Sequence, residues 1–315
     1  MQTVKYNLRV KGLKTANGTI SVRALIELLQ QMTTCAERGL RLAIEGRSVK
    51  RGAAPAWIEK STELVFTGLK SGSTVLAFEA PLLGETMGSM VGQQDFWIKP
   101  PAPNDTAFSI ISKSVRDTTS ENLESDYYDE GVLRSLLDLK HFLKTRAETI
   151  ELVSPGRKDG FKIDMPVIEK VERLKIKTPD SQAVIISGHL DKIAHSRKKF
   201  EISVKDGKSI PGRIDEEYMS VEDLRNLWGK KVTVKGMLHM KPSGNIRLLE
   251  AHMLKIMDDS EEIFETVPLI KTESDLYQQH LIPSENKKNW INEVWGKWPE
   301  DESIEEIMAE FERKV

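Results

Sequence analysis

Between Gln182 and Ile256 the chain is cut into five apolar or alternating runs, each closed by a turn or a short helix. AVIISG leads into the basic turn HSRKK, and FEISV into Asp206-Gly207-Lys208. SIPGRI precedes the helical segment SVEDLRNLWG. KVTVKGMLHM and NIRLLEAHMLKI are joined at Lys241-Pro242-Ser243-Gly244. Runs of β-branched and apolar residues between Gly, Pro, Asp and Asn turns are the strand signal. The order is therefore strand, strand, strand, helix, strand, strand. That order in about seventy residues matches a small five-stranded barrel of the OB type, with its helix between the third and fourth strands. Ala183, Ile185, Phe200, Ile202, Val204, Val232, Val234, Leu248 and Met253 are the expected core.

The rest of the chain reads as α+β. Val4, Tyr6, Leu8 and Val10 alternate, which predicts a strand over 2–12. Ser21 is a candidate N-cap for a helix to about residue 45, on whose apolar face lies Cys35. Pro55 opens a second, short helix. ELVFTGLKSGSTVLAFEAP reads as a hairpin turning at Lys70-Ser71-Gly72-Ser73. These elements make a small α+β domain, residues 1–83. Residues 84–181 read as a hinge loop rich in Gly and Pro, followed by helices. Asp105 is placed to cap a helix at 106–118. Asp126 and Asp129 fall in a solvated loop. GVLRSLLDLKHFLKTRAETI forms one amphipathic helix, and Pro166 opens another after a turn at 154–160. Residues 182–257 are the barrel, and 258–315 a helical, acidic, partner-binding tail.

The chain has 315 residues and a net charge of −2, which conceals an uneven distribution. Residues 182–256 hold 14 Lys/Arg against 9 Asp/Glu, whereas 257–315 hold 6 against 16. A basic module followed by an acidic tail allows nucleic-acid contact, shielding of that contact, or simple solubility. No apolar run approaches the ~18 residues a membrane span requires. The N-terminus lacks the apolar core of an export signal. With one cysteine there can be no internal disulfide, and a reduced cytoplasmic setting is expected.

Motifs for catalysis are missing. None of the six histidines stands at the short spacings of a zinc site, so neither metal nor cofactor is expected. Cys35 reads as a small core residue. There is no Gly-x-Ser-x-Gly elbow and no phosphate loop, so the chain reads as a non-enzyme. Two binding readings remain. Barrels of the OB type bind nucleic acid through the loops after their first and fourth strands. Here those loops bring Arg197, Lys198 and Lys199, and Lys241 and Arg247. Against this stands the poor aromatic supply: Phe200, Tyr218 and Trp228, with Trp228 expected in the core. The second reading is a protein partner. Trp290, Trp295 and Trp298 are half of all the tryptophans, within nine residues, and Trp is a favoured interface anchor. Ser303 and Glu306 form a capping box. The helix it opens carries Ile304, Ile307, Met308 and Phe311 on one face.

The segment WGKWPEDESIEEIMAEFER at 295–313 resembles the C-terminal segments of bacterial antitoxins that neutralise PIN-domain ribonuclease toxins. The resemblance implies that Trp295, Trp298, Ile304, Ile307 and Phe311 line a toxin groove, with Arg313 reaching toward the toxin's acidic metal site. A one-faced helix in a groove and a guanidinium near metal-binding carboxylates are both physically sound devices. The expected function is a non-enzymatic intracellular binding protein of antitoxin type. The alternative is an OB-type nucleic-acid-binding protein whose acidic tail is autoinhibitory.

Overall fold

The computed structural model describes residues 2–15, 19–70, 75–91, 100–194, 198–215 and 218–268. By its contacts the chain divides into residues 1–274 and 275–315, and the first unit carries both cores. Two separate apolar cores run through it, one built from residues 4–174 and one from residues 186–254.

The first core lies between a five-stranded sheet and helices. Strands β1 (Thr3–Lys11), β2 (Val65–Lys70), β3 (Val75–Pro81), β4 (Thr149–Val153) and β5 (Phe161–Asp164) stand in the order β2-β3-β1-β4-β5. β1 pairs antiparallel with both β3 and β4, and β2 and β5 extend the sheet as antiparallel edges. β1 and β2 therefore run parallel on either side of β3, a split β-α-β arrangement. The alternation seen in β1 places Val4, Tyr6, Leu8 and Val10 inward. Tyr6 is held at its tip by a 2.7 Å hydrogen bond with Thr106.

Helix α1 (Val22–Glu45) starts where expected: the Ser21 hydroxyl accepts from the Ala24 amide. It ends at Gly46, whose φ of 80° supplies the left-handed C-cap that a β-carbon disfavours. Helix α2 (Ala56–Thr62) follows Pro55, and the short α3 (Leu83–Met87) follows the hairpin. Helix α4 (Ala107–Thr119) is capped by Thr106 rather than by Asp105, through a reciprocal Thr106–Ser109 box. Asp129 is no solvated loop residue. It caps α5 (Glu130–Thr145), accepting from the Val132 amide, and its other oxygen takes the Ser48 amide. Helix α6 (Met165–Lys177) is capped by Asp164 with Pro166 in its first turn. Residues 84–181 thus supply two strands as well as helices, and they share one core with residues 4–80. The amphipathic helix stops at Thr145, where β-branched and apolar TIELV takes over as β4.

The barrel forms as its turn pattern requires. Strands β6 (Gln182–Ala194), β7 (Lys199–Ser203), β8 (Ser209–Ile214), β9 (Lys231–Met240) and β10 (Ile246–Ile256) close in the order β10-β8-β7-β6-β9, with α7 (Val221–Leu227) between β8 and β9. Phe200, Ile202, Val204, Val232, Val234 and Leu248 are buried as expected. Three positions are corrected. On β6 the inward side chains are Ile186 and Leu190, while Ala183 is exposed and Ile185 half-buried. An all-apolar AVII run fits either parity, and a one-residue slip exchanges every face. On β10 the register with β9 shifts between Ala251 and Met253. That bulge turns Leu254 inward and leaves Met253 38% exposed.

Candidate functional site

The barrel is fastened to the helical lobe through its fourth loop, the one expected to meet nucleic acid. Lys241 pairs with Asp126 at 2.9 Å and donates to the Glu124 carbonyl at 3.1 Å. Asn245 donates to the Glu124 carboxylate at 2.6 Å. Hydrogen bonds from Ser243 and Asn245 hold that carboxyl below the usual range. Arg247 is 6% exposed. Its Nη2 donates to the carbonyls of Ser125 at 2.8 Å and Tyr128 at 2.6 Å, and its Nη1 to that of Asp126 at 3.3 Å. Burial lowers its pKa, and Asp129 heads the charges that oppose the shift. Lys241 and Arg247 are thus engaged by this chain's own 124–128 loop.

The first basic loop is altered too. Lys199 begins β7 and is buried, and Lys198 adopts a left-handed φ of 57°. Arg197 lies outside the described residues. Trp228, expected in the core, is 66% exposed, with its indole N–H donating to the Asp191 carbonyl at 3.1 Å. Tyr218 is 64% exposed and lies against His252, ring centroids 4.9 Å apart and planes tilted by 39°. Trp290, Trp295, Trp298, Ile304, Ile307, Phe311 and Arg313 all lie outside the described residues.

Beside the fastened loop runs a charged network that the sequence reading did not assemble. Arg47, just past the C-terminus of α1, places Nη1 on a Glu250 carboxylate oxygen, Nη2 3.9 Å from Asp215 and Nε 3.9 Å from Glu45. Burial lowers the Arg47 pKa, while Glu45 and Asp215 raise it. Lys50 stands 3.6 Å from Asp215. On the other side of Glu250, His239 Nε2 lies 3.3 Å away, and His239 Nδ1 lies 2.8 Å from the Ser181 hydroxyl. A carboxylate can only accept, so these partners place the imidazole proton on Nε2 and leave Nδ1 to accept from Ser181. Burial pushes the His239 pKa down to about 4, and the imidazole is neutral at pH 7.

Two hollows flank this network. One of about 140 Å3, between barrel and lobe, is lined by Arg47, Ser48, Asp129, Gly131, Thr178 and His239. The buried Ser48 hydroxyl on its wall has no hydrogen-bond partner among the described residues. The other, about 320 Å3 and more open, lies over Tyr218, Met219, Leu227, His252 and Met253. Asp215, Glu250 and His252 come together on this network, with one ligand-capable atom from each lying within 4.8 Å of the others.

Searching histidine and cysteine spacings could not find this group, because barrel closure brings Asp215 to β10. The signal present in sequence is the Glu-x-His at 250–252, two residues apart on a strand. Cys35, by contrast, is where the helical pattern put it. Its thiol is buried, donates to the Ser135 carbonyl at 3.3 Å, and is pushed up to about 12 by burial. Among the described residues no helix is long and apolar enough to cross a membrane.

Comparisons with protein-family models, with curated proteins and with solved structures find no match for this chain.

Proposed function

We propose that this chain is a non-enzymatic, intracellular binding protein. Its two-lobed body carries a C-terminal segment that captures a protein partner, of the PIN-type ribonuclease class that the tail resembles. The observation that carries the reading is how the cations of the fourth barrel loop are used. Lys241 and Arg247 fasten the lobes together, so a nucleic-acid reading loses two of the five groups it rested on. The anchors that remain are Trp290, Trp295 and Trp298, in a stretch of sequence with 16 Asp/Glu against 6 Lys/Arg. Such composition favours a segment that orders on a partner. In this reading Ile304, Ile307 and Phe311 fill the partner's groove, and Arg313 meets its metal-binding carboxylates.

The test is titration of the partner nuclease with full-length variants. Trp295→Ala lowers affinity by about 2 kcal/mol or more if it is an anchor. Arg313→Ala weakens inhibition of the nuclease more than it weakens binding. Wild-type affinity in Trp295→Ala and Trp298→Ala overturns the reading.

A second reading has an observation of its own. Tyr218 and Trp228 are exposed on the barrel, and exposed aromatics are what base stacking uses. Single-stranded oligonucleotides at ~50 mM salt decide it: binding lost in Tyr218→Ala supports a stacking face, and no binding by the full chain removes it.

A further inference from the structure

We propose that Asp215, Glu250 and His252 form a binding site for a divalent transition-metal cation of the zinc class. Three features of the fold converge on it. First, Glu250 and His252 share β10 on either side of Ala251, and the register shift that follows Ala251 leaves His252 without a partner on β9. Residues two apart on a strand share a face, so the imidazole lies on the side of Glu250, and the bulge that follows frees His252 from pairing with β9. Second, Asp215 leaves β8 where that strand runs parallel to β10, Ile214 opposite Ala251, and its amide donates to the Ala251 carbonyl at 3.0 Å. The third ligand is thereby fixed to the same two peptides as the other two. Third, Gly236 lies opposite the bulge. A β-carbon there would sit 1.9 Å from the Glu250 carbonyl oxygen, so this close approach of β9 to β10 requires glycine.

The donor set is chemically selective. Two carboxylates and one imidazole suit a first-row divalent ion rather than calcium or magnesium, which prefer oxygen alone. Three protein ligands with a fourth position open is the arrangement of accessible zinc sites. Of the three ligands His252 lines the groove over Tyr218 and Met253, and the Tyr218 ring lies against its imidazole, centroids 4.9 Å apart and planes tilted by 39°. Ligand atoms of a tetrahedral zinc site lie about 3.4 Å apart, so three atoms within 4.8 Å of one another close on the ion by side-chain rotation.

Asp215 and Glu250 are 7% and 5% exposed. Their charges are compensated without metal by Arg47 and Lys50. Binding is therefore an exchange. The cation takes Glu250 from the Arg47 guanidinium, which keeps Glu45 beside its Nε, and takes Asp215 from both Arg47 and Lys50. Exchange makes affinity depend on those cations as well as on the ligands, and an adventitious surface histidine would show no such dependence.

The experiment is calorimetric titration of the full chain with zinc chloride at pH 7.5, repeated on variants whose thermal unfolding without metal matches wild type. One equivalent binds. His252→Ala weakens binding at least tenfold, and so does Asp215→Asn. Lys50→Met tightens it several-fold by removing a competing charge. His189→Ala, an exposed barrel histidine paired with Asp191, leaves it unchanged. Absence of binding, equal affinity in His252→Ala, or loss in His189→Ala instead overturns the site. His252 is only half-buried, so its variant is expected to fold and to give a decisive answer.

Discussion

Replacing Arg247 by Met keeps the length of the side chain and removes its five donors. Two strong hydrogen bonds, at 2.6 and 2.8 Å, and a longer one at 3.3 Å are lost. The carbonyls of Ser125, Asp126 and Tyr128 then lose their partner at the junction between barrel and lobe. Hydrogen bonds to a charged donor are worth ~1.5–3 kcal/mol each. Against that loss stands the relief of no longer burying a guanidinium, itself several kcal/mol. The net expectation is a loss of about 3 kcal/mol, at the low end for breaking a buried charged network. For a body of this size ~1 kcal/mol moves the melting temperature by about 2 °C, so the shift is about 6 °C. Thermal unfolding of the full chain by circular dichroism measures it. Uncoupling of the lobes would also broaden or split the transition. A shift below about 1 °C with one sharp transition refutes the reasoning. It would return Arg247 to the phosphate-contact role, in which substitution leaves melting alone and flattens the salt dependence of oligonucleotide binding by ~0.9.

Two further outcomes follow from the same junction. His239 has a folded pKa of about 4 against ~6.5 unfolded, so the unfolded chain takes up the proton first. The stability it contributes is complete above pH 6.5 and is lost as pH falls toward 4. Denaturant unfolding should show wild type losing up to about 3 kcal/mol more than His239→Gln across that window, and parallel pH profiles would contradict it. Gly236→Ala pushes a methyl group into the Glu250 carbonyl and should cost about 3 kcal/mol or more. Gly207→Ala, at a φ of 72° but in open space, should cost only about 1–2 kcal/mol. Equal melting temperatures for the two would refute the close approach.

The turn-bounded runs of 182–256 specified the barrel and the place of α7, because strand length and turn chemistry are local. Parity was not local. AVII offered Ala183 and Ile185 as readily as Val184 and Ile186, and only the contacts of β6 with β7 and β9 decide between them. The cap of α1 and the Pro166 in the first turn of α6 could be read one residue at a time. That of α4 was misplaced by one, because Asp105 and Thr106 are adjacent good cappers. β4 and β5 were missed because each is short and β4 continues an amphipathic helix without a Gly or Pro break. The fate of Lys241 and Arg247 could not be read at all: a basic hairpin looks the same whether it faces phosphate or the carbonyls of residues 125–128. Trp228 shows the converse, a large apolar side chain at a helix end that stays exposed with its indole N–H on the Asp191 carbonyl. Asp215, Glu250 and His252 carry no spacing signal as a trio, since two strands bring them together.

The most direct measurement of the central claim is recovery of a partner from the native host with the full chain and with a 1–284 truncation. The truncation retains every described residue and removes Trp290, Trp295, Trp298 and all that follows. The account predicts a small, metal-dependent ribonuclease recovered with the full chain, inhibited in that complex, and absent from the truncation. Equal recovery with both chains, or no partner with either, would contradict it.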